Sequence, residues 1–262
     1  MRFQDMVVFI TGGAKGLGSE MAKAFLAEGA MVAVNGRHEE TIQRFNEQFR
    51  DQPVMAVTND ITDYAATEEA VEEIVRKWGR IDILINNAGI VNPLAPAERL
   101  KREDFDRTID INIKGTFYVT QLVGKKMIEQ KSGRIINIAS QVGFFGEKGF
   151  LPYAISKSAF FVMARELAYE WSRHGITICT LAPGFIKGGM NEGLVRKEVF
   201  VNFLSSKTPI GRMGTIEEVV STVLFLASKE AQYINGEIIT MDGGMTGYTG
   251  EGLLDFIAKG KV

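Results

Sequence analysis

Short apolar runs alternate with longer amphipathic segments along most of the chain. The runs are rich in β-branched residues and apolar at consecutive positions, which is typical of strands buried on both faces of a sheet. Strands of about five residues that alternate with longer helices predict βαβ units and a parallel sheet of about seven strands, covered by helices on both faces. The predicted strands are Val7–Thr11, Met31–Asn35, Val54–Val57, Ile83–Asn86, Arg134–Ile138, Thr177–Leu181 and Glu237–Thr240.

The segments between these runs repeat apolar residues at helical spacing. The first predicted helix ends at Gly29, and the others lie near Glu39–Arg50, Asp63–Trp78, Asn112–Gln130, 153–173 and Ile216–Ala227. Thr215 and Glu218 have the spacing of a capping box for the last of these helices. Four glycines stand where a helix would give way to a strand, and each is predicted to end its helix in the left-handed conformation. They are Gly29, Gly79, Gly133 and Gly175.

No domain boundary, repeat or low-complexity tract interrupts this alternation, so residues 1–262 are interpreted as one domain. The least regular stretch, residues 183–214, is predicted to be a lid over the substrate. Residues 245–262 form a tail with several apolar positions, and we expect it to pack on a partner subunit or over the pocket.

Composition narrows the class of protein. The 262 residues carry a net charge of −2, so the sequence gives no electrostatic reason to expect nucleic acid or an anionic membrane as a partner. The single cysteine, Cys179, lies in an apolar run and is interpreted as a buried thiol, which excludes a thiolate metal cluster; no metal site is predicted. No apolar run reaches the ~18 residues of a membrane span, and the N-terminus lacks a signal-like core, so a cytoplasmic protein is expected.

A glycine-rich turn follows the first predicted strand and opens the first helix. Gly12, Gly16 and Gly18 would let the backbone turn tightly and approach a pyrophosphate at the helix N-terminus. Their spacing is Gly-x-x-x-Gly-x-Gly rather than the commoner Gly-x-Gly-x-x-Gly. In this strand–turn–helix context the motif predicts a dinucleotide site on a Rossmann-type doubly wound sheet.

The end of the second strand indicates which dinucleotide is bound. NAD sites usually carry an acidic residue there for the ribose 2′-hydroxyl, whereas an arginine suits a 2′-phosphate. Here the sequence reads Val34-Asn35-Gly36-Arg37, and Lys15 adds a second cation in the glycine turn. The sequence therefore predicts NADP(H) rather than NAD(H).

Tyr153 and Lys157 lie four residues apart at the start of a predicted helix, so their side chains share one face. A phenol titrates near pH ~10 in water, and a nearby ammonium favours its ionised form. We therefore expect Lys157 to lower the pKa of Tyr153, which would make the phenol a general acid or base near neutrality.

Taken together, these motifs resemble the short-chain dehydrogenase/reductase family over nearly the whole chain. Thr11-Gly12-x-x-x-Gly16-x-Gly18 matches the family's cofactor loop, and Asn86-Asn87-Ala88-Gly89 matches its second signature. Asn112, Ser140, Tyr153 and Lys157 fall where the family has its catalytic tetrad, Asp60 falls where it contacts adenine, and Pro183-Gly184 matches the segment beside the nicotinamide. One departure is Gly188, which replaces a threonine that in the family often contacts the nicotinamide amide.

The resemblance implies a role for each of these residues. Tyr153 would exchange a proton with the substrate oxygen, and Ser140 would orient that oxygen. Lys157 would also hold the nicotinamide ribose, and Asn112 would anchor a water that links Lys157 to solvent. The cofactor-binding residues implied by the motifs are Gly12, Ala14, Lys15, Gly16, Leu17, Gly18, Arg37, Asp60, Ile61, Asn87, Ala88, Gly89, Tyr153, Lys157, Pro183, Gly184 and Ile186.

The substrate is expected to be a small molecule with a carbonyl or alcohol group. Large apolar residues around the predicted pocket favour a hydrophobic or extended carbonyl compound over a bare sugar. The predicted lining is Gln141, Val142, Phe144, Phe145, Phe150, and from the lid Phe185, Met190 and Leu194. The front half of the Tyr153 helix is apolar nearly all round, which together with the resemblance implies a homodimer or homotetramer built on residues 112–130 and 153–173.

Several functions fit these observations. The leading hypothesis is an NADP(H)-dependent oxidoreductase of ketones and secondary alcohols. A 3-oxoacyl-carrier-protein reductase is an alternative within the family, and it would need a basic docking face such as Lys125, Lys126, Lys131 and Arg173. Sugar-acid and hydroxysteroid dehydrogenases also stay open. An alternative of another class is a non-catalytic NADP(H) sensor or scaffold.

Overall fold

The structure is a computed structural model, and it describes residues 1–188 and 198–247. Seven parallel strands form one sheet, which confirms the number and direction that the apolar runs predict. Their order is β3-β2-β1-β4-β5-β6-β7. The strands are β1 (Val7–Ile10), β2 (Met31–Gly36), β3 (Val54–Thr58), β4 (Ile83–Asn86), β5 (Gly133–Ile138), β6 (Ile176–Pro183) and β7 (Ile238–Met241).

Eight α-helices lie within the described residues. They are α1 (Gly16–Ala27), α2 (Glu39–Gln48), α3 (Tyr64–Trp78), α4 (Arg102–Ile109), α5 (Thr116–Gln130), α6 (Leu151–Trp171), α7 (Glu198–Lys207) and α8 (Ile216–Ala227). A π-helical segment, Asp110–Gly115, joins α4 to α5. None of the helices in the described part of the chain is long and apolar enough to cross a membrane.

The sheet separates two cores, and this explains why its strands are apolar on both faces. In β1, Val8 and Ile10 join a cluster that includes residues of α1 and α8, whereas Val7 and Phe9 join a cluster that includes residues of α3, α5 and α6. Cys179 is buried in the first cluster, as predicted.

The order of the strands places a crevice at one edge of the sheet. The chain moves outward from β1 through β2 to β3, and then crosses to β4 on the other side of β1. In open parallel sheets, ligands bind beyond the carboxyl ends of the strands at such a reversal. We call this side the carboxyl edge, and it is where the predicted site residues should meet.

Helix boundaries differ from the predictions in two regions. Asn112 was expected at the start of a helix, but it lies inside the π-helical segment between α4 and α5. Residues 183–214 were expected to be irregular, yet α7 forms within them. Both missed helices, α4 and α7, are short, with 8 and 10 residues, and each buries a single residue, Thr108 and Leu204 respectively.

Most of the predicted helix termini are confirmed. Gly29, Gly79 and Gly175 have φ angles of 91°, 80° and 77°. The prediction for Gly133 is wrong: Lys131 ends α5 in the left-handed conformation, with φ of 56°, and Gly133 begins β5. A Cβ at position 133 would lie 2.3 Å from the sulfur of Met127, so this glycine serves close packing instead. The capping box of Thr215 and Glu218 is present.

Candidate active site

The glycine turn after β1 has the shape that a pyrophosphate needs. Gly12 and Gly16 have positive φ angles of 62° and 55°, which favour glycine. A Cβ at Gly18 would lie 2.5 Å from the carbonyl oxygen of Gly12, so glycine is also required where α1 meets the turn. The first turn of α1 has no acidic residue and no side-chain cap at Lys15, which leaves its backbone N–H groups available to an anion. These features fit a dinucleotide phosphate.

The side chains of the remaining turn residues are divided between solvent and core. Lys15 is exposed, whereas Ala14 and Leu17 are partly buried and pack against the core beneath the turn. Ala14 and Leu17 can therefore contact a dinucleotide chiefly through their backbone.

A buried chain of polar side chains holds this turn in place. The backbone N–H of Gly12 donates to Oδ1 of Asn35 at 2.8 Å, and Nδ2 of Asn35 donates to Oδ1 of Asn59 at 2.8 Å. Nδ2 of Asn59 in turn donates to the hydroxyl of Thr67 at 3.2 Å. The motifs predict no role for Asn35, although the sequence carries a signal for it, an amide in an otherwise apolar strand.

The turn is also tied to the loop after β4. The hydroxyl oxygen of Thr11 accepts hydrogen bonds from the backbone N–H groups of Asn87 and Ala88, both at 3.0 Å. The side chain of Asn87 donates to the carbonyl oxygens of Thr11 and Gly12 at 2.9 and 3.3 Å. The two signatures of the sequence therefore form one hydrogen-bonded unit.

Arg37 and Asp60 lie at the ends of β2 and β3. Both side chains are partly exposed, and the guanidinium NH1 lies 3.8 Å from a carboxylate oxygen of Asp60. The other oxygen of that carboxylate accepts hydrogen bonds from the backbone and hydroxyl of Thr62. The neighbouring Ile61 is buried, and its side chain packs against Gly115, so only its backbone can face a ligand.

Tyr153 and Lys157 are both buried on α6, in the first part of the helix. Burial raises the pKa of Tyr153 to about 12, and a hydrogen bond with Ser140 lowers it by a smaller amount. Burial also lowers the pKa of Lys157 to about 7. The expected lowering of the tyrosine pKa by the lysine is therefore wrong for this arrangement, because burial disfavours the charged form of both groups.

The lysine nitrogen is directed toward the backbone rather than the phenol. Nζ of Lys157 donates to the carbonyl oxygen of Ile138 at 2.8 Å and lies 5.6 Å from the centre of the Tyr153 ring. A Cβ at Gly89 would lie 3.2 Å from Oδ1 of Asn112 and 3.6 Å from Nζ, so the glycine makes room chiefly for the asparagine. Lys157 is thus fixed between the ends of β4 and β5.

Asn112 links the loop after β4 to α6. Its Oδ1 accepts from the backbone N–H of Ile90 at 2.8 Å, and its Nδ2 donates to the carbonyl oxygen of Ile90 at 2.9 Å. Nδ2 also donates to the hydroxyl of Ser156 at 3.0 Å, and Ser156 donates to the carbonyl oxygen of Tyr153 at 2.7 Å. Both amide hydrogens of Asn112 are used within the protein, so only its oxygens remain for the predicted water. No motif in the sequence predicts this role for Ser156.

The segment after β6 also lies at the carboxyl edge of the sheet. The backbone N–H of Gly184 donates to the carbonyl oxygen of Met241 at 2.9 Å, which ties this segment to β7. Ile186 forms a bridge with Gly214. Gly188 has a φ of 95°, a conformation that disfavours the threonine often found at this position in the family. Met190 and Leu194 of the predicted lid lie outside the described residues, as does the tail beyond residue 247.

The predicted site residues thus meet at the carboxyl ends of six strands. The glycine turn follows β1, Arg37 follows β2, and Asp60 follows β3. Asn87, Ala88 and Gly89 follow β4, and Ser140 follows β5 beside Tyr153. Pro183 ends β6, and Gly184 and Ile186 follow it.

Known proteins resemble this chain over most of its length. A family model described as enoyl-(acyl carrier protein) reductase matches residues 12–246. Gluconate 5-dehydrogenase of Gluconobacter oxydans is 38% identical over 90% of this chain and 93% of its own length. A 3-oxoacyl-[acyl-carrier-protein] reductase of Thermotoga maritima is 39% identical over 94% of this chain and 99% of its own.

Solved structures show the same fold. The crystal structure of a gluconate 5-dehydrogenase from Burkholderia cenocepacia in complex with NADP and tartrate superimposes with a TM-score of 0.89, at 32% identity, over 95% of this chain and 98% of that one. Levodione reductase superimposes with a TM-score of 0.88, at 33% identity, over 94% and 99% of the two chains. The chain belongs to the short-chain dehydrogenase/reductase family, whose members are nicotinamide-dependent oxidoreductases of alcohols and ketones.

Proposed function

We propose that the protein is an NADP(H)-dependent oxidoreductase that interconverts a ketone and a secondary alcohol, with Tyr153 as the general acid or base. The observation that carries this proposal is the meeting of Tyr153, Ser140 and Lys157 beside the glycine turn at one edge of the sheet. The bound nicotinamide would supply or accept the hydride.

The protein's own groups would manage the proton. With a pKa near 12, Tyr153 keeps its proton at neutral pH, which suits a donor to a carbonyl oxygen that gains negative charge during reduction. The hydroxyl of Ser140 would hold that oxygen beside the phenol. Asn112 positions Tyr153 indirectly, through Ser156 and the backbone of α6.

The proposed preference for NADP(H) rests on the charges at the end of β2. No carboxylate stands between Val34 and Arg37, and the one ion pair that the described residues give Arg37 is long, at 3.8 Å. A 2′-phosphate would offer this guanidinium a stronger, charge-assisted contact. Lys15 in the exposed turn provides a second cation.

The preference is tested with Arg37→Ala. This substitution should weaken NADPH binding by about 1.5–3 kcal/mol, the size of a charge-assisted hydrogen bond, and leave NADH binding nearly unchanged. The dissociation constants of both dinucleotides can be measured by calorimetry or fluorescence. An equal loss of affinity for NADPH and NADH would contradict the proposed preference for NADP(H).

The role of Tyr153 is tested with Tyr153→Phe. Loss of the proton donor should reduce the turnover of a good ketone roughly 10²–10⁴-fold, while the affinity for NADPH changes little. The ketone is found first by following NADPH absorbance over a panel of acyl thioesters, steroid ketones, keto-sugar acids and cyclic ketones. Near-full turnover by the phenylalanine variant would contradict the proposed role, and an absence of turnover with every compound would favour a sensor or scaffold.

A 3-oxoacyl-carrier-protein reductase is the second candidate, because one relative with that activity is 39% identical. Of the four basic residues expected to form a docking face, Lys126 pairs with Glu72 at 2.6 Å and Lys125 lies 3.5 Å from the hydroxyl of Tyr64. Lys131 and Arg173 remain exposed. If this function is correct, Arg173→Glu should slow reduction of the carrier-bound substrate without slowing a small acyl thioester.

A further inference from the structure

Gln141 is a buried polar residue that the proton chemistry does not use. It follows Ser140 directly and opens a short 3₁₀ turn, Gln141–Gly143, at the carboxyl end of β5. The residue is only 1% exposed. Its side chain therefore lies inside the protein, next to the serine that would hold the substrate oxygen.

The amide of Gln141 has poor partners among the described residues. Nε2 lies 3.1 Å from the sulfur of Met245, which is a weak acceptor, and Oε1 has no hydrogen-bond partner. Rotating the amide would not help, because it would place the carbonyl oxygen against the thioether sulfur, and neither of these atoms can donate. A buried carbonyl without a donor is costly and rare in folded proteins.

The unpartnered oxygen faces the segment after β6. A Cβ at Gly184 would lie 3.0 Å from Oε1 of Gln141, so the glycine leaves the space beside this oxygen free of a side chain. Pro183 and Gly184 are the residues that the family resemblance places beside the nicotinamide. Oε1 is thus a buried acceptor without a donor, in a residue that directly follows Ser140 and next to the segment after β6.

We propose that Gln141 determines substrate specificity by accepting a hydrogen bond from a hydroxyl group next to the reacting carbon. The substrate class is then an α-hydroxy ketone or a vicinal diol, as in polyhydroxylated acids and sugars. A thioester or an unsubstituted ketone has no hydroxyl at this position and leaves the oxygen unpaired. This inference rests on the proposed oxidoreductase function and narrows its substrate.

The inference reverses the expectation of an apolar substrate. That expectation counted aromatic residues as pocket lining. The ring of Phe144 packs against Phe161, with 4.4 Å between their centres, while the residue stays 42% exposed. The buried amide beside Ser140 is the more direct indication of what the crevice accepts.

The test compares substrates that differ by one hydroxyl group. Reduction of acetoin is measured against 2-butanone, and oxidation of cyclohexane-1,2-diol against cyclohexanol, for the wild-type protein and for Gln141→Met. Methionine has nearly the same length and volume but no amide. We expect the wild type to prefer the hydroxylated member of each pair in kcat/KM. The methionine variant should lose about 10- to 100-fold of that preference, the effect of leaving one buried hydrogen-bonding group unpaired.

Gln130→Met is the matched control, because Gln130 bonds to the backbone of Ile81 and Ser132 at the opposite edge of the sheet. It should leave the preference unchanged. The inference is overturned if the wild type shows no preference, or if Gln141→Met retains it. It is also overturned if the only effect of Gln141→Met is a lower unfolding free energy, which would assign the amide to the stability of the fold. A weaker binding of NADPH that affects all substrates equally would overturn it too, because the amide would then contact the nicotinamide. Absence of turnover with all four compounds, despite NADPH binding, would instead count against the proposed function, and the inference would fall with it.

Discussion

Burial disfavours the charged forms of both Tyr153 and Lys157. Both side chains are buried on α6, and the pKa of the phenol is raised while the pKa of the ammonium is lowered. Proximity of the two groups therefore does not by itself produce a phenolate. It produces a pair whose neutral forms are favoured, with the lysine able to change its charge close to pH 7.

This pair predicts a particular dependence of stability on pH. The pKa of Lys157 is about 7 in the folded protein and 10.5 in the unfolded chain, so between these values the unfolded chain binds more protons. The free energy of unfolding should consequently rise with pH across this range, by at most about 1.4 kcal/mol per pH unit. The raised pKa of Tyr153 acts in the opposite direction, but only above pH 10.

The measurement is urea denaturation at pH 7, 8 and 9 for the wild type and for Lys157→Met. The unfolding free energy of the wild type should increase relative to that of Lys157→Met as the pH rises. A difference that is constant over this range would show that Lys157 keeps its ordinary pKa.

At the scale of elements, the glycine turn depends on side chains from several strands and helices. Asn35 of β2 accepts from Gly12 and donates to Asn59, which reaches Thr67 of α3. Thr11 joins the same turn to the loop after β4. The shape of the turn is therefore set by its neighbours as well as by its glycines.

Replacement of Asn35 tests this dependence. Asn35→Ala should leave the N–H of Gly12 and Oδ1 of Asn59 without their buried partner and reduce the unfolding free energy by about 1–3 kcal/mol. The affinity for NADPH should fall with it, since the turn loses its fixed geometry. Gln43→Ala on the exposed side of α2 is a suitable control for the affinity measurement. Unchanged NADPH affinity in Asn35→Ala would show that the glycines alone maintain the turn.

The sequence predicts the strands well for a physical reason. Strands buried between two cores must be apolar at consecutive positions, and such runs are easily recognised. Helices α4 and α7 are short, with 8 and 10 residues, and bury one residue each, so the core distinguishes them little from the loops around them.

The site shows a similar division. Residues within short motifs, such as Tyr153 and Lys157, can be located from spacing. Contacts such as Asn35 with Gly12, or Ser156 with Asn112, join positions 23 and 44 residues apart and depend on tertiary packing. The pKa of Tyr153 was mispredicted for the same reason, since the sequence does not reveal how completely the pair is buried.

At the scale of the whole molecule, exposed apolar side chains favour self-association. Phe117 of α5 and Ile155, Val162 and Tyr169 of α6 are 39%, 42%, 59% and 89% exposed. The residue ranges 112–130 and 153–173 were expected to form an interface between subunits. We therefore propose that the protein is a homodimer or homotetramer in solution.

A charge placed on this surface should separate the subunits. Val162→Glu is expected to shift the mass measured by light scattering toward the monomer, because an unpaired carboxylate is costly to bury in an interface. Gln43→Glu places the same charge on α2 and should leave the mass unchanged. A wild-type protein that is monomeric at micromolar concentration would contradict the proposed assembly.

The π-helical segment Asp110–Gly115 joins α4 and α5 and changes the rotational register between the residues of the two helices. One residue corresponds to about 100° of rotation in an α-helix, so a deletion there would rotate everything on one side of it relative to the other. Either Asn112 would turn away from Ile90, or α5 would present a different face to the sheet. The number of residues between α4 and α5 is therefore constrained to the single residue.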